Sequence, residues 1–177
     1  MNFQYFFFNT YSGYFLQMVP FAAAAGVGYG LWKRRRGAGK VRSVWAGLLA
    51  AYLAGLVGVT LLLRPIGLMW YWIFYQRPGG RMWFFEWTYD FVPDFWKNFR
   101  AENLANALMF VPFGMLYPLS GEGRGFRRTL AAGAVLVLTI ELLQPVFGRA
   151  FDVNDVILNL TGIAASAGLF RLICRKR

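Results

Sequence analysis

Apolar runs long enough to cross a lipid bilayer recur along this chain. About 30 Å of hydrocarbon needs roughly 20 residues of helix. The runs are Tyr14 to Trp32, Ser43 to Leu63, Glu102 to Pro118, Thr129 to Phe147 and Val153 to Ile173; the third is shorter and begins with polar residues. They lack strict alternation and are far too long for strands, so helices are expected rather than a barrel. The expected fold is all-α: a polytopic membrane helical bundle of five transmembrane helices. Only 15% of residues are charged and 58% are hydrophobic, whereas a soluble domain carries about a quarter charged. The chain has no His and one Cys, Cys174. That excludes a His-based zinc site, a Ser-His-Asp triad and a disulfide scaffold.

Charge placement then sets the orientation. The formal net charge is +11, with 19 Lys and Arg against 8 Asp and Glu. In a soluble protein that excess would suggest nucleic acid. Here thirteen of the nineteen basic residues fall in three regions: Lys33, Arg34, Arg35, Arg36, Lys40 and Arg42; Arg124, Arg127 and Arg128; Arg171, Arg175, Lys176 and Arg177. All three lie on one side of a five-span bundle. The positive-inside rule then puts the N-terminus outside and the C-terminus in the cytoplasm. Topology and anionic lipid explain the charge without a nucleic-acid partner. No basic residue precedes the first span and the basic cluster follows it, the reverse of a cleaved signal peptide.

The organisation follows from the spans. Residues 1–63 are two helices with a basic cytoplasmic loop. Residues 64–101 form a long extracellular connection, and residues 102–177 a core of three spans. The connection holds Trp70, Trp72, Trp83, Trp87 and Trp96, five of the seven Trp, and is broken by Pro78-Gly79-Gly80 and Pro93. It reads as an interfacial segment with rings at headgroup level; the sharper alternative is a platform for sugar or lipid headgroups. Gly26 with Gly30, and Ala164 with Gly168, are small-xxx-small pairs that favour close helix packing. The Gly121-Glu122-Gly123-Arg124-Gly125 run reads as a tight cytoplasmic turn, because no strand precedes it and no Lys-Ser/Thr follows.

The last three spans carry the informative polar residues. Asn103 and Asn106 share a helical face with Glu102; Glu141 and Gln144 are three apart; Asp152, Asp155 and Asn159 follow at spacings of three and four. All lie toward the external helix ends. Glu141 and Asn159 are about 9 Å inside the boundary at 1.5 Å per residue. Groups at that depth are costly and must turn inward to partners. Arg149 is the nearest cation available to Glu141, Asp152 and Asp155. The two aspartates also sit at a helix N-terminus, which favours negative charge. Pro145 cannot donate to the Glu141 carbonyl, nor Pro112 to that of Leu108. One reading is a polar knot that only holds three helices together. The other is an external-facing pocket with a buried acid, for a headgroup, a cation or a cell-envelope intermediate. No spacing is specific for a metal, and no cofactor is implied.

The same residues carry a resemblance. Asn103 to Pro118 (NLANALMFVPFGMLYP) is similar to the first signature of VanZ-like membrane proteins, including Phe110, Pro112 and Gly114. Glu141-Leu142-Leu143-Gln144-Pro145, with Gly148 to Gly162 (GRAFDVNDVILNLTG), is similar to the second. The likeness covers about Asn103 to Gly168; Tyr14 to Pro20 also looks like the opening of longer members. The aromatic loop does not match the Asn-Leu-Ile-Pro-Phe-type segment of many relatives, so no loop function is carried over. The resemblance implies a bacterial plasma-membrane protein, and the family's founding member is associated with low-level teicoplanin resistance. On that basis the chain is expected to be a non-catalytic envelope factor that lowers susceptibility to teicoplanin-type glycopeptides through the external-facing pocket. Its partners would be membrane lipid, a lipid-linked cell-wall precursor or the glycopeptide itself. The alternative is a membrane enzyme or transporter using Glu141 as a buried acid/base, against which stands the lack of a nucleophile–base pair.

Overall fold

The computed structural model describes residues 2–82, 84–97, 101–121 and 125–175, apart from the side chains of Glu102 and Arg175. Trp83, Glu122, Gly123, Arg124, Lys176 and Arg177, named above, lie outside the described residues. The chain is mostly helical. The helices are α1 (Phe3–Asn9), α2 (Tyr11–Arg35), α3 (Lys40–Thr60), α4 (Leu63–Tyr75), α5 (Ala101–Leu119), α6 (Phe126–Leu143) and α7 (Val153–Arg175). A 3-10 turn over Gln144–Phe147 extends α6.

Four helical segments are long and apolar enough to cross a membrane: Tyr11–Arg35, Lys40–Thr60, Phe126–Phe147 and Val153–Cys174. The third expected span behaves differently. Its apolar part, Asn103–Leu119, is shorter than the others, and the whole of α5 has 19 residues, about 28 Å at helical rise. It still takes its place in the bundle, packed along α7, while α2 packs along α3. Leu49 and Leu56 of α3, Phe110 and Phe113 of α5, Val137 and Ile140 of α6 and Ile163 of α7 form the buried core. Lipid tails are as apolar as these side chains, so shape fit rather than the hydrophobic effect must hold such helices together.

That fit rests on missing side chains. A Cβ at Gly162 would collide with the Ala107 carbonyl, and one at Gly114 would lie 2.7 Å from Ala167 N. The backbones of α5 and α7 therefore nearly touch. Gly26 and Gly30 work similarly between α2 and α3, where a Cβ on Gly26 would come 2.9 Å from the Gly47 carbonyl. The Ala164/Gly168 pair makes no such crossing: a Cβ at Gly168 would be 3.9 Å from Phe126 and nothing closer.

Two of the intrahelical prolines, Pro112 and Pro20, receive help from a distant aromatic donor. Pro112 leaves the Leu108 carbonyl without a donor four residues on. One residue later Tyr52 Oη donates to the Met109 carbonyl at 2.9 Å. Pro20 has the same effect at Leu16, and Trp70 Nε1 donates to the next carbonyl, that of Gln17, at 3.1 Å.

The 64–101 segment is more ordered than a simple connection. Its first part is helix α4, of 13 residues. Pro65 falls in the first turn, where a missing N–H is tolerated, and Gln76 ends the helix in the left-handed region at φ 52°. At about 20 Å it is too short to span. It packs its aromatic face on α1: Phe7 meets Trp70 edge-on at 5.7 Å and Phe8 meets Tyr71 at 5.8 Å. The all-α expectation needs one amendment. Tyr89–Asp90 (β1) pairs in parallel with Phe151–Asp152 (β2), because the strap after α4 runs back across the end of the bundle.

Candidate functional site

The basic ends of α2, α3 and α6 gather at one end of the bundle, where Arg42 lies against Gly121. The polar residues gather at the other. There an open cavity of about 1620 Å³ is lined by residues of α1, α2, the end of α3, α4, α5, α6 and α7. Small-molecule sites run to about 1,000 Å³, so this one has room for a large amphiphile's headgroup. All eight predicted residues line it. Asn103 and Asn106 come from α5, Glu141 and Gln144 from α6 and its 3-10 extension. Arg149 follows in the turn, and Asp152, Asp155 and Asn159 belong to the start of α7.

Glu141 is the centre. It is 1% exposed, and its two oxygens are engaged separately. Asn159 Nδ2 donates to Oε1 at 3.2 Å. The Gln144 amide, turned to face its acceptors, donates to Oε2 at 3.1 Å and to the Ala150 carbonyl at 2.9 Å. Asp155, Arg149 and Asp152 are near enough for their charges to act on it. Asp155 accepts from Asn106 Nδ2, which ties α7 to α5. Asp152 caps α7, accepting from Asn154 N at 2.7 Å, as an acidic N-cap should.

Pro145 produces the local geometry. With no N–H to offer the Glu141 carbonyl, the α-helix stops at Leu143 and tightens into the 3-10 turn. Gly148, at φ 75°, reverses the chain where a side chain would be strained. Arg149 thereby reaches α3. Its Nη1 donates to the Thr60 carbonyl at 3.1 Å, an orphan carbonyl at a helix C-terminus that favours a cation. Sequence reasoning assigned Arg149 to the carboxylates alone and could not see this long-range partner.

The aromatic strap closes one side of the site. Glu86 N donates to the Pro145 carbonyl at 2.8 Å, Phe85 N to that of Val146 at 3.2 Å, and Phe151 N to that of Thr88 at 2.9 Å. Asn154, 5% exposed, is the main clasp. Its Oδ1 accepts from Asp94 N at 2.9 Å and Phe95 N at 3.2 Å, and its Nδ2 donates to Asp94 Oδ1 at 3.1 Å. Asn154, Asp94 and Asp90 thus join the lining, as does Gln17 from α2, and none of these was singled out from sequence. Gln17 did carry a signal, as a lone amide inside an apolar span. Asn154 carried none, since its partners lie 60 residues away. Among the described residues, no three Asp, Glu or Cys side chains converge as a metal site requires.

Replacing Asn154 with Ala removes three hydrogen bonds and leaves two strap amides unpaired. The expected loss is about 1–3 kcal/mol, with hydrogen exchange rising across residues 85–97 and little change in α2 or α3. Protection unchanged in the strap would contradict the clasp.

Comparison with known proteins agrees with this core. A family model described as VanZ/LLP1 matches residues 49–174. The chain is 32% identical over 126 residues to protein VanZ of Enterococcus faecium, a stretch covering 70% of each chain. No solved structure matches. The matched region starts within α3 and takes in α4 and the strap, so it is wider than the Asn103 to Gly168 segment that carries the motifs; it leaves out α1 and α2. This chain belongs to the VanZ/LLP1 family.

Proposed function

We propose that the chain is a multi-pass protein of a bacterial plasma membrane that lowers susceptibility to teicoplanin-type lipoglycopeptides without catalysing a reaction. In this reading it crosses five times, with the N-terminus outside and the C-terminus cytoplasmic, and α5 is the shortest crossing. The cavity then faces outward and holds the headgroup of a lipid or lipid-linked wall precursor, which limits the drug's access to its target. One observation carries the reading: eight polar residues from α5, α6, α7 and the turn joining the last two converge on one cavity, at the end of the bundle opposite the basic loops. Intramembrane polar groups are costly, and their convergence on open space favours a binding role.

Two measurements test it. Expression in a susceptible host is expected to raise the inhibitory concentration of teicoplanin; no rise would overturn the function. For topology, Cys174 is replaced by Ser and single cysteines are placed at Gly39 and Gly80, where a new Cβ meets nothing within 4 Å. In intact cells an impermeant maleimide is expected to label position 80 and spare position 39. The opposite pattern would invert the orientation.

A further inference from the structure

Two side-chain oxygens in the cavity walls are buried without a hydrogen-bond partner: Gln17 Oε1 and Asn159 Oδ1. Gln17 is 1% exposed and Asn159 3%. Native proteins rarely leave such acceptors unmet. Turning either amide over gives no relief, because both nitrogens are in use. Gln17 Nε2 donates to the Phe7 carbonyl at 2.7 Å, and Asn159 Nδ2 to Glu141. The two residues belong to different walls, α2 and α7, and both line the same cavity. Carboxyl groups of Asp94 and Asp152 add further acceptors to it. At the rim, the Arg149 and Arg64 guanidiniums are turned to the backbone carbonyls of Thr60 and Arg81. Among the described residues, the two buried side-chain atoms left unmet are thus both acceptors, and both belong to this cavity's lining.

We propose that Gln17 and Asn159 together recognise an amphiphile headgroup by its own N–H or O–H donors, either a primary ammonium or the hydroxyls of a sugar. This rests on reading the cavity as a headgroup site, and it adds the headgroup's chemistry. It also gives the N-terminal helices a share in specificity, since Gln17 lies outside the residues that match the family. Two fixed acceptors from different helices select for a headgroup with at least two donors. A quaternary ammonium, which has no N–H, leaves both unmet.

The test uses the full chain purified in detergent and three lipids with identical acyl chains: phosphatidylethanolamine, a monoglucosyl diacylglycerol and phosphatidylcholine. Native mass spectrometry reads the retained lipid. At least one donor-bearing lipid is expected to be held about tenfold more strongly than phosphatidylcholine, the ratio that one good hydrogen bond supplies. Retention of phosphatidylethanolamine alone assigns the donor to an ammonium, and of the glycolipid alone to sugar hydroxyls. Two variants should bring the ratio toward unity. Gln17→Leu removes the acceptor but also unpairs the Phe7 carbonyl. Gly67→Ala keeps every hydrogen bond and sets a methyl 3.4 Å from Gln17 Oε1, in the path of a donor. If Gln17→Leu fails to fold, Gly67→Ala decides. Equal retention of all three lipids, or an undiminished preference in folded Gly67→Ala, overturns the proposal. Lipid preference without teicoplanin tolerance would refute the proposed function and leave this inference standing.

Discussion

Replacing Glu141 with Gln is expected to return teicoplanin susceptibility to that of cells without the chain, while the protein still folds and accumulates. Both carboxyl oxygens of Glu141 accept from amides, Oε1 from Asn159 and Oε2 from Gln144. Gln at this position must aim an NH2 at one of them. Turning Gln144 away would break its bond to the Ala150 carbonyl. The cheaper repair is for the Asn159 amide to turn over, so that its free Oδ1 meets the new NH2. The cost is then within the range of about 1–3 kcal/mol for a disturbed buried polar group. That repair leaves a donor where the cavity wall had an acceptor, so the site is altered more than the fold. Drug susceptibility and protein abundance measured together decide the matter. Tolerance equal to the parent would sink the pocket reading. If the cluster only holds helices together, changes at Glu141, Arg149 and Asp155 should all lower the melting temperature in detergent and spare tolerance at permissive temperature.

Adding one methyl at Gly162 is expected to be among the most damaging small substitutions in the chain. In Gly162→Ala the new carbon meets the Ala107 carbonyl, which is backbone and cannot rotate aside. The α5–α7 crossing must open, and the Asn106–Asp155 and Asn159–Glu141 bonds beside it lengthen together. Overpacking costs about 1–3 kcal/mol where side chains absorb it, and more where they cannot. A loss of at least about 3 kcal/mol is therefore expected, seen as a large drop in detergent melting temperature. Gly114→Ala should behave likewise, with Ser166 and the backbone of α7 in the way. Gly28→Ala is the control, because nothing lies within 4 Å of its Cβ; it should be neutral or slightly stabilising, as expected of Gly to Ala in a helix. Similar melting for all three variants would contradict the close crossing.

Most helix positions were legible because their cause is local. A run such as Val153 to Ile173 is apolar over a length that only a helix can satisfy in lipid, and the structure extends it only to Arg175. The polar cluster was legible for a related reason: spacings of three and four put Asp152, Asp155 and Asn159 on one face, and burying them in lipid demands an inward direction. The aromatic segment was less legible. Its composition fitted an interface, but its course depends on Asn154 and on carbonyls freed at the Pro145 turn, both more than 50 residues away. Helix α4 was hidden because residues 64–101 read as one connection broken by Pro78-Gly79-Gly80 and Pro93, whereas those breaks follow the helix and Pro65 is harmless in its first turn.

By itself, then, the sequence determined the helical class, the clustering of basic charge at one set of helix ends, the polar faces of α5, α6 and α7, and the likeness to the family. These depend on period, length and residue order, which are properties of the chain before it folds. Only the tertiary structure decided that α5 lies backbone to backbone with α7, that Arg149 caps α3, and that the strap is clasped by Asn154. It alone brought Gln17 into the cavity that Asn159 also lines. Each of these depends on which helices become neighbours, and in lipid that is settled by close packing at Gly114 and Gly162 and by distant hydrogen bonds, neither of which leaves a periodic trace in the sequence.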